Sequence, residues 1–219
     1  MNASYGTRRE VGYGALMEQT FANLRLIWRE LLAYLAVATV LGLGTPLFGD
    51  KSTGFFELLF YFAGQYWLFR SLVKKRGMLR TRRIHFLSFF GLALLLILPI
   101  MFGLVMLIVP GLFLVARWIA APAYIVARGE GAFAAAGASR AAVRGQTAKV
   151  MTAVVVLFLI MIAIMTALAA IDRALGIRAD MELMNRVSGH FLPLLLLGLS
   201  VATYERLGSD DAMIEEVFG

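Results

Sequence analysis

Six long, predominantly apolar stretches constrain the fold of this chain more than any other feature of its sequence. They occupy residues 31–48, 55–73, 86–109, 111–127, 150–171 and 191–204. A helix that crosses the hydrocarbon core of a bilayer needs about 20 mostly apolar residues, and these continuous runs lack the alternation of membrane β-strands. The stretches therefore predict an all-α fold, an integral membrane bundle of six transmembrane helices. The brief connections between them predict a single membrane domain over residues 1–219.

Composition supports a membrane class and argues against a water-soluble globule. Hydrophobic residues make up 60% of the chain and charged residues only 16%, whereas soluble domains average about 45–50% and 25%. The sequence has no cysteine, which excludes a disulfide framework and a thiol nucleophile. It also has no glycine-rich phosphate loop, catalytic triad or metal-ligand spacing. We therefore expect no enzyme activity, no metal and no cofactor.

The distribution of basic residues predicts the orientation of the bundle. Sixteen of the 21 lysines and arginines fall on the side of the N-terminus, four fall on the opposite side, and Arg117 lies within a span. Cytoplasmic loops carry an excess of such residues. Both termini are therefore predicted to be cytoplasmic, which an even number of crossings satisfies.

Two segments outside the six stretches have helical patterns of their own. Within residues 11–30, Met17, Phe21 and Leu24 recur on one helical face, which predicts an N-terminal amphipathic interfacial helix. A simple extension of the first span is the alternative. The alanine-rich residues 131–144 predict a short cytoplasmic helix that rests against the bundle.

Arg117 is the most informative residue, because it lies about 9 Å into the fourth stretch at the helical rise per residue. A charge at that depth should face protein or water and have a partner. Glu57, near the outer start of the second stretch, is the predicted partner, and Gln65 lies in the middle of the same stretch. We consider two interpretations: a polar site for an anionic head group or a proton-coupled ligand, and a structural ion pair that fixes helix packing.

Residues 70–83 form a basic run with seven lysines and arginines and no acidic residue. The simplest interpretation is a loop that sets the topology, and the functional one is attraction of anionic lipid head groups. The candidate head-group contacts are Lys74, Lys75, Arg76, Arg80, Arg82 and Arg83. No aromatic residues interleave these charges in a recognised motif, so we do not expect a nucleic-acid partner.

The stretch 109–146, VPGLFLVARWIAAPAYIVARGEGAFAAAGASRAAVRGQ, resembles a known family. The matching residues are Pro110, Gly111, Phe113, Arg117, Trp118, Pro122, Glu130, Gly131, Ala135, Ser139, Arg144 and Gly145. They resemble the glycerophosphoryl diester phosphodiesterase membrane domain, a family of multi-pass bacterial inner-membrane proteins. The resemblance implies a location in the bacterial inner membrane. Six spans leave no room for a separate catalytic domain, and the only histidines, His85 and His190, are predicted on opposite sides of the membrane.

Together these observations predict a non-enzymatic multi-pass inner-membrane protein that serves membrane-lipid or envelope homeostasis or scaffolds a partner. The expected partners are membrane lipids with anionic head groups on the cytoplasmic side, and a protein partner or a second copy of the chain. The alternative is a small transporter or channel with a polar intramembrane site around Arg117. A cavity that reaches Arg117 would favour transport, and an intramembrane enzyme would require polar residues that converge on a cavity at one depth.

Overall fold

The computed structural model of the protein describes residues 12–43, 50–175 and 189–208, and within these ranges the fold is all-α. Nine helices follow one another without a strand in these ranges. They are α1 (Tyr13–Leu26), α2 (Trp28–Leu43), α3 (Asp50–Lys75), α4 (Phe86–Met106), α5 (Ile108–Trp118), α6 (Ala121–Arg128), α7 (Ala132–Ala142), α8 (Thr147–Leu175) and α9 (Phe191–Leu207). The predicted fold class is therefore confirmed at the level of an all-helical protein.

Three helical segments of the described chain are long and apolar enough to cross a membrane: Phe86–Met106, Ile108–Arg128 and Thr147–Ala174. The third has a mean hydropathy of 3.1 in its most apolar window, yet only 11% of that window is buried within the protein. An apolar surface of this size that faces outward requires an apolar environment or a partner. These helices are compatible with a membrane protein, while the number of six spans stays a prediction. Part of the first predicted span, residues 44–48, lies outside the described residues.

The third and fourth stretches are separated in the sequence at Pro110, but the chain turns before that residue. The chain turns at Leu107, which has an extended backbone (φ −158°, ψ 134°). Pro110 instead lies in the first turn of α5, where its missing N–H costs no helical hydrogen bond. Gly103 and Gly111 allow α4 and α5 to pack closely beside this turn. A Cβ on Gly103 would lie only 3.0 Å from the Gly111 Cα.

The fourth stretch was predicted as one helix and is divided in the structure into α5 and α6. The break falls at Ile119 and Ala120, just before Pro122 in the first turn of α6. A proline in a helix interior removes one main-chain hydrogen bond and its ring crowds the carbonyl four residues earlier. The break therefore follows from Pro122, and Arg117 lies in the last turn of α5, near the middle of the candidate span Ile108–Arg128.

Helix α1 packs along α9 instead of lying apart from the bundle. The Asn23 side chain donates a 3.2 Å hydrogen bond to the Gly198 carbonyl oxygen, and a Cβ on Gly198 would lie 3.0 Å from the Thr20 carbonyl oxygen. The buried face of α1 thus includes polar residues, whereas Phe21 on the predicted apolar face is exposed. The role of that exposed face at a membrane surface stays a prediction.

The ends of four helices meet at one pole of the bundle, which we call the polar end. Arg76 at the end of α3 donates from Nε to Asn23 Oδ1 of α1 at 2.8 Å. The Arg80 amide donates to the Ala127 carbonyl of α6 at 2.8 Å. Arg128, which ends α6, donates to the Gly208 carbonyl beyond α9 at 3.1 Å. The basic loop, residues 76–85, therefore lies beside the ends of α1, α6 and α9.

Candidate functional site

Ser139 of α7 fills the break between α5 and α6. Its Oγ donates to the Arg117 carbonyl oxygen at 3.0 Å and accepts from the Ala120 amide at 3.1 Å. Ser139 is fully buried. One side chain thus satisfies a carbonyl and an amide at the break, and it fixes α7 against the end of α5.

Helix α7 and the turn that follows it present two different faces. Ala135, Ser139 and Val143 are buried against the bundle. The other face, with helical spacings of three and four residues, carries Gly137, Arg140, Ala141 and Arg144, and these residues line a cavity together with Arg117. We call it the arginine cavity, and its volume is about 650 Å³.

The arginine cavity is strongly electropositive. Three of its five lining residues are arginines, and in the part of the chain that the structure describes no acidic side chain lines it. The Arg117 guanidinium lies 5.0 Å from the centroid of the Phe113 ring, and its buried Nε has no hydrogen-bond partner among the described residues. Guanidinium groups bind phosphate and carboxylate in a bidentate way, so the chemistry of this cavity suits a phosphate-sized anion.

Arg140 and Arg144 are cavity residues that the sequence analysis did not select. Both were assigned to the cytoplasmic side as basic residues, and Arg144 is also one of the residues that carry the family resemblance. Their spacing of four residues, with the small Gly137 and Ala141 on the same face, was visible in the sequence. The contribution of Arg117 to that face depends on the break before Pro122, which composition and hydropathy do not specify.

The structure places Arg117 and Gln65 of the predicted intramembrane site at two different cavities. The Arg117 side chain lines the arginine cavity, whereas Gln65 lines a second, mostly apolar cavity. Glu57 interacts electrostatically with His190 at the start of α9, and His190 Nδ1 is 2.8 Å from the Tyr34 hydroxyl oxygen. The described contacts therefore place Arg117 with Arg140 and Arg144 rather than with Gln65.

The six predicted head-group contacts lie at the end of α3 and in the basic loop, and they divide into two groups. Lys75 and Arg76 bind within the protein: Lys75 Nζ is 2.6 Å from Glu30 Oε1, and Arg76 is held by Asn23. The remaining four are exposed and are Lys74, Arg80, Arg82 and Arg83. The hydrogen bond from Lys75 lowers the pKa of Glu30 below its usual value of 4.5, because it stabilises the carboxylate form.

Among the described residues, no group of three or more histidine, aspartate or glutamate side chains could hold a metal ion. What the fold and the site define is an all-helical protein with three helices suited to a membrane and an electropositive cavity at its α5–α7 contact. Comparisons with protein-family models, curated proteins and solved structures find no match to this chain. The family resemblance of residues 109–146 therefore stays a prediction.

Proposed function

We propose that this chain is a non-enzymatic, multi-pass protein of the bacterial inner membrane that binds the anionic head group of a membrane lipid in the arginine cavity. Such binding would serve membrane-lipid or envelope homeostasis. The observation that carries the proposal is the convergence of Arg117, Arg140 and Arg144 on one cavity without an acidic lining residue in the described chain.

The membrane placement is supported by the outward apolar surface of α8 and by the polar end. Helices α2, α3, α4, α8 and α9, with α5 and α6 together as one span, would make six crossings. The ends of α1, α3, α6 and α9 lie together and bear many of the residues that the charge distribution assigns to the cytoplasm. This arrangement supports cytoplasmic termini and favours a head group from the inner leaflet.

The competing interpretation of Arg117 is a structural ion pair. Its described contacts are a ring face and a cavity, and its Nε lacks a partner among the described residues. A structural pair would bring a carboxylate to the guanidinium and would leave little reason for two further arginines on the same cavity. The geometry therefore favours the ligand-binding interpretation.

The proposal is tested with the full-length protein purified in detergent and offered an equal mixture of phosphatidylglycerol and phosphatidylcholine with identical chains. Native mass spectrometry then measures which lipid the protein retains. The wild type should prefer the anionic lipid. In the Arg140→Gln/Arg144→Gln variant the ratio of retained phosphatidylglycerol to phosphatidylcholine should fall about tenfold, as expected when charge-assisted hydrogen bonds are removed.

A matched control separates the cavity from net charge. Arg82 and Arg83 are exposed in the basic loop, and the Arg82→Gln/Arg83→Gln variant loses the same two charges. It should keep most of the preference for phosphatidylglycerol. If both double variants lose it equally, diffuse surface charge binds the lipid and the arginine cavity is not the site.

A small transporter or channel is the second candidate function, and the cavity that reaches Arg117 favours it. Arg117 lines the arginine cavity while the next residue, Trp118, lines the apolar cavity, so both cavities border the break between α5 and α6. Proteoliposomes loaded with labelled phosphate test this candidate. Efflux that exceeds that of empty liposomes and is lost in Arg117→Gln would favour transport, and its absence would favour lipid binding.

A further inference from the structure

The second cavity of the protein lies between α3, α4 and α9 and borders the break between α5 and α6. Its volume is about 260 Å³, and its exposed lining is almost entirely apolar, with Phe69, Leu92 and Leu197 among the residues that form it. We call it the apolar cavity. A cavity with such walls disfavours charged or strongly hydrated ligands.

Gln65 of α3 and Ser200 of α9 lie in the wall of the apolar cavity, which also includes the amphipathic side chains of Tyr61 and Trp118. Gln65 is 5% exposed and Ser200 is 1% exposed. In the part of the chain that is described, neither Gln65 Nε2 nor Ser200 Oγ has a hydrogen-bond partner. A buried donor without a partner typically costs about 1–3 kcal/mol, so each of these two groups requires an explanation.

Packing between helices accounts for only part of the buried Gln65 side chain. Its side chain lies near the Tyr34 hydroxyl of α2, and this neighbour restrains its orientation. No hydrogen bond within the described residues satisfies its Nε2 group.

We propose that the apolar cavity binds one fatty-acyl chain of a membrane lipid, whose ester carbonyl accepts hydrogen bonds from Gln65 Nε2 and Ser200 Oγ. The acyl chain matches the apolar walls, and the carbonyl is the acceptor that two unpaired donors need. This inference rests on the proposed membrane placement, since the bilayer supplies such chains, but it does not depend on the arginine cavity.

The experiment compares two lipids that differ only at the proposed acceptor. Diester phosphatidylglycerol has acyl carbonyls, and its diether analogue with the same head group and chain length has none. The full-length protein in detergent receives both in equal amounts, and native mass spectrometry measures the retained ratio. The wild type should prefer the diester about five- to tenfold, as expected for one to two hydrogen bonds in an apolar environment.

The variants assign the preference to the two side chains. Gln65→Leu and Ser200→Ala should each reduce the diester preference, and the double variant should abolish it. The control is Thr203→Val on the same helix as Ser200, since Thr203 is also fully buried with an unpaired hydroxyl but is not part of the cavity wall. It should keep the preference. Should Gln65→Leu fail to fold, Ser200→Ala alone still tests the proposal.

The outcomes for the two cavities are distinguishable. Equal retention of diester and diether by the wild type overturns the inference, and so does an unchanged preference in the double variant. The Arg140→Gln/Arg144→Gln variant should lose its choice between head groups and retain its choice between diester and diether. If the wild type chooses between diester and diether but not between head groups, the proposed arginine site fails and the acyl site stands.

Discussion

The Ser139 hydroxyl donates a 3.0 Å hydrogen bond to the carbonyl oxygen of Arg117. This contact joins the helix that bears Arg140 to the helix end that bears Arg117, at the point where Pro122 prevents a continuous helix. The main chain of Arg117 is therefore held by the helix that bears Arg140, and Arg144 follows in the turn after that helix. A change at Ser139 should alter both the fold and the arrangement of the three cations.

We predict that Ser139→Ala destabilises the protein and weakens retention of anionic lipid. The substitution leaves the Arg117 carbonyl and the Ala120 amide without their partner, and each buried unpaired group typically costs about 1–3 kcal/mol. Thermal unfolding in detergent measures the first effect, and native mass spectrometry with phosphatidylglycerol measures the second. Thr152→Ala is the control, because its exposed hydroxyl only bonds a carbonyl of its own helix. An equal effect of both variants would contradict the bridging role.

We predict that Gly198→Ala separates α1 from α9. The added Cβ would lie 2.9 Å from Leu24 Cγ and 3.0 Å from the Thr20 carbonyl oxygen, and the main-chain contact cannot relax without moving a helix. Overpacking of this kind costs about 1–3 kcal/mol, which thermal unfolding should detect. Gly91→Ala in α4 is the matched control, since nothing lies within 4 Å of its added Cβ. It should be neutral or slightly stabilising.

The ion pair between Glu30 and Lys75 should make stability depend on acidic pH. The pKa of Glu30 is lowered in the folded protein, chiefly by the hydrogen bond from Lys75. Its contribution is therefore fully present above the ordinary value of 4.5 and is lost as pH falls through the lowered folded pKa. The melting temperatures of wild type and Glu30→Gln should differ at neutral pH and converge below pH 4.5. Glu18→Gln, at an exposed position of α1, should show a smaller pH-dependent difference.

Hydropathy predicted the helices of this fold better than their interruptions. The apolar windows indicate where helices occur, because burial and lipid exposure both select apolar residues. They do not indicate that the chain turns at Leu107 rather than at Pro110, since that choice depends on the contact between Gly103 and Gly111. Hydropathy likewise treats residues 111–127 as uniform, although Pro122 divides them.

The candidate site could be predicted from the sequence only in part. Arg117 is conspicuous because it is a charge among apolar residues, so its importance could be inferred without coordinates. Its surroundings could not, because Arg140 lies on a helix that is mostly alanine and Arg144 lies in the turn after it. The docking of that helix depends on Ser139. Glu57 was a reasonable partner for Arg117 on grounds of charge and depth, but depth alone does not determine which helix faces another.

The proposed topology predicts which positions a membrane-impermeant maleimide can label in intact cells. The chain has no cysteine, so the maleimide can label this protein only at the single cysteine that each substitution introduces. Arg82→Cys lies in the exposed part of the basic loop and should react only after the cells are lysed, because that loop is assigned to the cytoplasm by its charge. Lys51→Cys, assigned by the sequence to the opposite side, should react in intact cells. Labelling of both positions in intact cells, or of neither, would contradict the proposed arrangement of spans. Fluorescence of the gel band measures the label, and a detergent-lysed sample labelled in parallel shows that each cysteine is reactive.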